Sequence, residues 1–223
     1  MNSIGSATEA LINRSPFLRE AMAEDLINIS ALARKLQPDI EEMMGKKVNE
    51  GAIVMAIKRM TPSLYQRLNM KITNMMGDLG DFLVRNNLSD FTYENSNTLK
   101  AAQTTLFETI SKESDSFFAL CQGVTETTYV LQERHSALME KCFANERMKS
   151  HNVNLSAVTV VLPNLNYEMY GVYYYLLKHL AWEGINIVEI VSTSTEFTIV
   201  VRQEDVENAF KILMKLKHKL KLS

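Results

Sequence analysis

Eight glycines in 223 residues leave little room for a phosphate cradle, and the chain contains no GxGxxG, no Walker-type glycine loop and no GxSxG. The four histidines, His135, His151, His179 and His218, show no HxxxH or similar ligand spacing, so no metal is expected. Cysteine is equally scarce. Cys121 and Cys142 have no CxxC neighbour and are expected to be buried free thiols. No stretch reaches the roughly 18 uninterrupted apolar residues of a membrane span. The opening MNSIGSATEALINRS lacks a basic segment followed by an apolar one, so the expectation is a cytoplasmic protein with no membrane partner. A formal charge of −2 gives no broad attraction for nucleic acid or anionic lipid. Together these absences predict no catalytic residues and no cofactor.

What the chain does have is core-forming material. At 46% hydrophobic it can fill one large or two to three small domains. From Pro16 to Met60 the apolar spacing is helical, with Phe17, Leu18, Met22, Leu26 and Ile29 on one stripe. Ser30 is placed as the cap of ALARKL, Gln37-Pro38 as an interruption, and Gly45 as the stop of DIEEMMG. NEGAIVMAIKRM follows as a further helix. From Asp81 the pattern changes to strand, helix, strand, strand, helix (DFLVRNNLSDFTYE, NTLKAAQTTLFETIS, SFFALCQ, TTYVLQ, ERHSALMEKCF). After the polar segment NERMKSHN the same order returns in NLSAVTVVLP, NYEMYGVYYYLLKHLAW, INIVEIV, EFTIVV and QEDVENAFKILMKLK.

That recurrence is an internal repeat. At an offset of 70, Thr125-Glu126-x-Thr128-x-Val130 matches Thr195-Glu196-x-Thr198-x-Val200, and Leu106 matches Leu176, with no gap required. Each copy reads β-α-β-β-α. The first helix is long enough to be a crossover, which makes the second strand run parallel to the first. The expected class is therefore α+β: a helical module over residues 1–80, then two ferredoxin-like copies over 81–150 and 151–223, each completed by a strand shared with its neighbour.

The later copy resembles an ACT domain of the regulatory kind found at the C-terminus of aspartokinases. The resemblance is carried by AVTVVLP, NLNYEMYGV and EGINIVEIVSTSTEFTIVV, and the copy from Asp81 resembles a more divergent second ACT domain. It implies a non-catalytic, allosteric regulator in which an amino acid binds where ACT domains pair. Carried over residue by residue, Asn164, Asn166, Met169, Tyr170, Gly171 and Val172 would form the loop and helix start. Ile185, Asn186 and Ile187 would lie opposite, with Ser192 and Ser194 as a hydroxyl rim. Backbone N–H groups at a helix start suit a carboxylate, and glycine allows close approach. The sequence departs from the family at Tyr170-Gly171, where Pro-Gly is usual, and the first copy has Ala101 in place of Gly171. About 80 residues of helix cannot hold an amino-acid kinase domain, so no kinase activity is expected.

The N-terminal helices carry a second expectation. SALARKL resembles the opening of a helix-turn-helix, and residues 30–71 hold eight Lys or Arg against four acids. Arg34, Lys35, Lys58 and Arg59 are the candidate DNA contacts, with phosphate as their target. Against this, the turn predicted between the two helices is a dozen residues, longer than the motif's three to four. Dimerisation or docking on a separate biosynthetic enzyme are the alternatives, and a homodimer is expected under every reading because sheet edges must pair or be protected.

Overall fold

The computed structural model describes residues 3–23, 25–60, 76–113, 116–163 and 171–218. The chain forms two compact units, Met1–Lys71 and Ile72–Ser223. The first holds α1 (Ile4–Asn13), α2 (Pro16–Ala23), α3 (Ile29–Met44) and α4 (Glu50–Arg59). Its core is built from Ala7, Leu11 and Ile12 of α1, Leu32, Ala33, Leu36 and Ile40 of α3, and Ile53 and Ile57 of α4. The helix α1 lies ahead of the helical stretch expected from Pro16. Its apolar residues do recur three to four apart, and Ser3 caps it by accepting from the Ser6 N–H at 3.1 Å.

Pro38 does not interrupt its helix, contrary to expectation. The helix α3 runs through it, starting from Asn28 rather than Ser30, and the Asn28 side chain accepts from the Ala31 N–H at 3.0 Å. Leu36 and Ile40, on either side of the proline, are both buried, and this packing offsets the missing hydrogen bond. The turn to α4 is accordingly short, residues 45–49. It is held from α3: Gln37 Nε2 donates to the Val48 carbonyl at 2.8 Å, and the Glu41 carboxylate accepts from the Val48 N–H at 3.0 Å and from Lys47 Nζ at 3.1 Å. The backbone N–H first, and then Lys47, hold the Glu41 carboxyl below its ordinary range.

The second unit contains β1 (Phe82–Glu94), α5 (Leu99–Ile110), β2 (Phe118–Gln122), β3 (Glu126–Gln132), α6 (Ser136–Cys142), β4 (Met148–Val161), α7 (Val172–Trp182), β5 (Ile187–Ser192), β6 (Glu196–Arg202) and α8 (Val206–His218). Its six strands form one sheet in the order β2-β3-β1-β4-β6-β5, and every neighbouring pair is antiparallel. Both β1 and β2 run antiparallel to β3, which lies between them, so they are parallel to each other as a crossover requires.

The segment NERMKSHN, read as a polar spacer, turns out to contribute the first residues of β4. Its residues show no apolar alternation because pairing with the far end of β1 fixes them there: His151 lies opposite Phe91 and Met148 opposite Tyr93. The expected break at 150/151 thus falls inside a strand. The long strands β1 and β4 serve both copies. Phe82–Arg85 pair with Ala157–Val160 of the second copy, while residues 90–93 pair with the start of β4. The register slips between these halves, and Asn87 and Asn154 sit there at φ 56°.

This geometry shows that the repeat needs two offsets. From β2 onward the offset is 70, so β3 matches β6 residue for residue. In the first strands it is 67: Asn87-Leu88-Ser89-x-x-Thr92 corresponds to Asn154-Leu155-Ser156-x-x-Thr159. The expected gapless alignment is therefore corrected by three residues inserted in the second copy between its first strand and its first helix.

Helices cover one face of each copy. In the first, Phe91, Tyr93, Leu106, Ile110, Tyr129 and Phe143 pack together, with Tyr93 and Phe143 rings 4.8 Å apart. In the second, Val158, Val160, Leu176, Leu180, Ile199 and Leu213 occupy the matching places. One layer is aromatic and the other aliphatic, on the same frame. The opposite face is buried too, by contributions from both copies: Leu88 and Val130 meet Leu155, Ala157 and Val200, with Phe117 and Val188 packed alongside. Cys121 lies on the edge strand β2 opposite Thr128 and is exposed, so the expectation that both thiols are buried fails for it; Cys142 is half-buried, and burial raises its pKa.

Candidate effector site

The helix α7 starts at Gly171, whose φ of 86° and ψ of 3° place it in the left-handed region that favours glycine. Ala101, its counterpart, lies inside α5, which begins at Leu99. Only the second copy has a special backbone conformation at this position. Asn164, Asn166, Met169 and Tyr170 lie outside the described residues. Val172 is buried and points into the helix-covered core.

The Ser192–Thr195 stretch is the turn of the β5–β6 hairpin, closed by its own hydrogen bonds. The Thr193 N–H donates to the Glu196 carbonyl at 2.9 Å, and Thr193 Oγ1 accepts from the Glu196 N–H at 3.1 Å. The Thr195 carbonyl accepts from the Leu162 N–H at 2.7 Å, which ties the exit of β4 to the hairpin. Ser192 Oγ reaches the Tyr173 hydroxyl at 2.7 Å, and the Tyr173 ring stacks on Phe197 at 5.1 Å. Ser192 is thereby fixed beside the start of α7. Ser194 is exposed at the tip.

Ile185, Asn186 and Ile187 fall elsewhere. The Ile185 N–H donates to the Leu180 carbonyl at 3.0 Å at the far end of α7, and Ile187 lies opposite Val201. Ser192, five residues on, lies opposite Phe197. The two groups are roughly 17 Å apart along the strand. Within one copy, Gly171, Val172, Ser192 and Ser194 therefore gather at one end, and Ile185, Asn186 and Ile187 at the other. Asn186 and Ile187 line a cavity that opens where the two copies join.

Nearby carboxylates shape the electrostatics. Asp90 is 2% exposed, and its Oδ1 accepts from the Asn152 N–H at 3.0 Å and from Asn152 Nδ2 at 2.8 Å. Glu189 has its pKa raised, by burial first and then by Asp90 and Glu126. Among the described residues no group of three or more His, Cys, Asp or Glu could hold a metal ion, and no helix is long and apolar enough to cross a membrane.

Of the basic candidates in the N-terminal unit, Arg34 pairs with Glu50 at 3.2 Å and Arg59 Nε donates to the Met55 carbonyl at 3.2 Å. Lys35 and Lys58 are exposed. The sequence reading missed Asp90, Asn152 and Arg202, which flank or line the cavity. The repeated Asn-Leu-Ser-x-x-Thr was the available signal, since it marks the strands that create the joint.

The sequence matches no family model and no curated protein. Solved structures do share its fold. Aspartate kinase from Clostridium acetobutylicum is 16% identical, with a TM-score of 0.53 over 63% of this chain and 35% of that one. A chain of the aspartokinase alpha and beta subunits is 12% identical, with a TM-score of 0.52 over 62% of this chain and 97% of that one. The ligand-free regulatory subunit of aspartate kinase from Thermus thermophilus is 12% identical, with a TM-score of 0.50 over 62% and 97%. The chain thus spans about a third of the first and nearly all of the others. It shares the fold of these aspartate kinase chains. Of these, the Thermus chain is a regulatory subunit of aspartate kinase, and this chain covers nearly all of it.

Proposed function

We propose that this chain is a non-catalytic regulatory protein. A small effector, an amino acid, binds to its tandem ACT-type copies, and binding stabilises one arrangement of the chain over another. The N-terminal helices carry the output. The observation that supports this most is a fold that covers 97% of a regulatory subunit of aspartate kinase, in a chain that also carries a helical unit. The left-handed Gly171 at the start of α7 supports effector binding in the second copy, with Asn164, Asn166, Met169 and Tyr170, which precede it in the sequence, as further contacts of this reading.

The sheet edges support a homodimer as part of this reading. Neither β2 nor β5 has an outer partner among the described residues, and Ile190 on β5 is 45% exposed. A monomer by light scattering at micromolar concentration would contradict it. Binding is tested by thermal unfolding of the full chain with each of the twenty amino acids in turn. An effector at 100 times its Kd adds about 2.7 kcal/mol. For a chain of this size that is roughly 5–10 °C in Tm. No shift with any of them counts against the reading.

A second reading, in which the output is DNA, is favoured by the short turn between α3 and α4. The pairing of Arg34 with Glu50 and of Lys47 with Glu41 weakens it by occupying two of the basic groups. Duplex binding at low salt that is lost in Lys58→Glu and Arg59→Glu supports it, and no binding removes it. Docking on an aspartokinase-type enzyme is the remaining output, tested by co-purification.

A further inference from the structure

We propose that the cavity at the joint of the two copies is a binding site for a free α-amino acid. Arg202 holds the carboxylate, and Glu204 together with the Asn152 amide oxygen holds the ammonium group. The choice of ligand class rests on the regulatory reading above, but the location is a different end of the second copy from Gly171.

The cavity measures ≈ 860 Å³. Three segments converge on it: the start of β4 with Asn152 and Asn154, the start of β5 with Asn186 and Ile187, and the end of β6 with Arg202 and Glu204. Its lining carries one fixed cation, Arg202, and one anion, Glu204, set among amides. Neither makes an ion pair among the described residues, although both are exposed and only two positions apart. One positive and one negative group suit a zwitterion. A phosphate would meet one arginine and an opposing carboxylate, and a fully apolar ligand would leave both charges desolvated and unpaired.

Asn152 is prepared for a donor. Its backbone N–H and one Nδ2 hydrogen go to the buried Asp90, which orients the side chain and leaves its oxygen without a hydrogen bond among the described residues. The first copy supplies the internal comparison. At the two offsets established above, Asn152 corresponds to Arg85, Ile187 to Phe117 and Arg202 to Gln132. There the Arg85 guanidinium lies over the Phe117 ring at 5.3 Å, and Phe117 packs into the core between the copies. The equivalent space in the first copy is filled by an aromatic plug under a cation and lacks the arginine on its third strand. Only the second copy combines the open space with the charges.

Titration calorimetry of the full chain with each of the twenty L-amino acids tests this, followed by the carboxamide and N-acetyl derivatives of whichever binds. Arg202→Gln installs the residue that the first copy tolerates at the same position. The pair Asn152→Arg with Ile187→Phe transplants the plug. The account expects Arg202→Gln, the carboxamide and the N-acetyl derivative each to weaken binding at least about tenfold, with the Tm of the Arg202→Gln chain unchanged in the absence of ligand, and the plug to abolish binding in a chain that still folds. An amino acid whose affinity for the Arg202→Gln chain and the plugged chain stays within about twofold of the original overturns the proposal and leaves the regulatory reading standing. If one variant fails to fold, the derivatives on the unaltered chain decide the question. Binding by none of the twenty overturns both.

Discussion

Thr159 and Thr198 are 2% and 4% exposed, and their hydroxyl oxygens lie 2.8 Å apart between β4 and β6. Replacing either with valine keeps the branched shape and leaves the other hydroxyl buried without its partner, at a cost of about 1–3 kcal/mol. Replacing both removes the pair together, so no orphan remains. The double variant is expected within about 1 kcal/mol of the original chain, whereas simple addition gives about 2–6 kcal/mol. At roughly 2–4 °C per kcal/mol, each single variant unfolds at least 2 °C earlier. Far-UV circular dichroism in a denaturant series is the suitable assay, because the single tryptophan, Trp182, is 79% exposed and reports little on this layer. Equal additivity in the double variant would refute the hydrogen-bond assignment. The matching pair, Thr92 and Thr128 at 2.9 Å, is more open and should show the same sign with smaller coupling.

Leu106→Ala and Leu176→Ala, at equivalent buried positions, should each cost about 2–5 kcal/mol by denaturant unfolding. Pro38→Ala restores a helix hydrogen bond in α3 and should raise the stability of the N-terminal unit by about 1–3 kcal/mol, and a lower midpoint would contradict the continuous helix. Glu189 has a folded pKa above its unfolded one, so it opposes folding when ionised. Glu189→Gln should therefore stabilise the chain at neutral pH, with the difference vanishing as pH falls below the ordinary carboxylate range. Tyr93 and Tyr129 are pushed up to about 12 by burial, so their contribution to stability is complete below about 10 and is lost as pH rises through about 12. Tyrosinate absorbance should show two late ionisations.

The periodicity of the second unit made its element order legible, because strands and helices bury one face each and their apolar spacing shows it. What it did not show was the sharing of β1 and β4. The polar residues 148–152 become strand through pairing with residues more than 50 positions away, and no local pattern encodes that. The three-residue insertion was hidden for a related reason: an alignment fixed on Thr125-Glu126 and Thr195-Glu196 passes over the second match, Asn-Leu-Ser-x-x-Thr, at a different spacing. Pro38 misled because the cost of proline in a helix is local and its compensation, by Leu36 and Ile40, is tertiary. At the candidate site, Gly171 and Ser192 were identifiable from the family resemblance. Asp90, Asn152 and Arg202 gather only once the joint is formed.

Hydrogen exchange of the full chain, with and without each of the twenty amino acids, tests the central claim most directly. The account predicts that at least one of them slows exchange in β5 and α7 and also alters it in α1–α4, the binding copy and the output responding together. Unchanged exchange throughout the chain with every one of them would contradict the account.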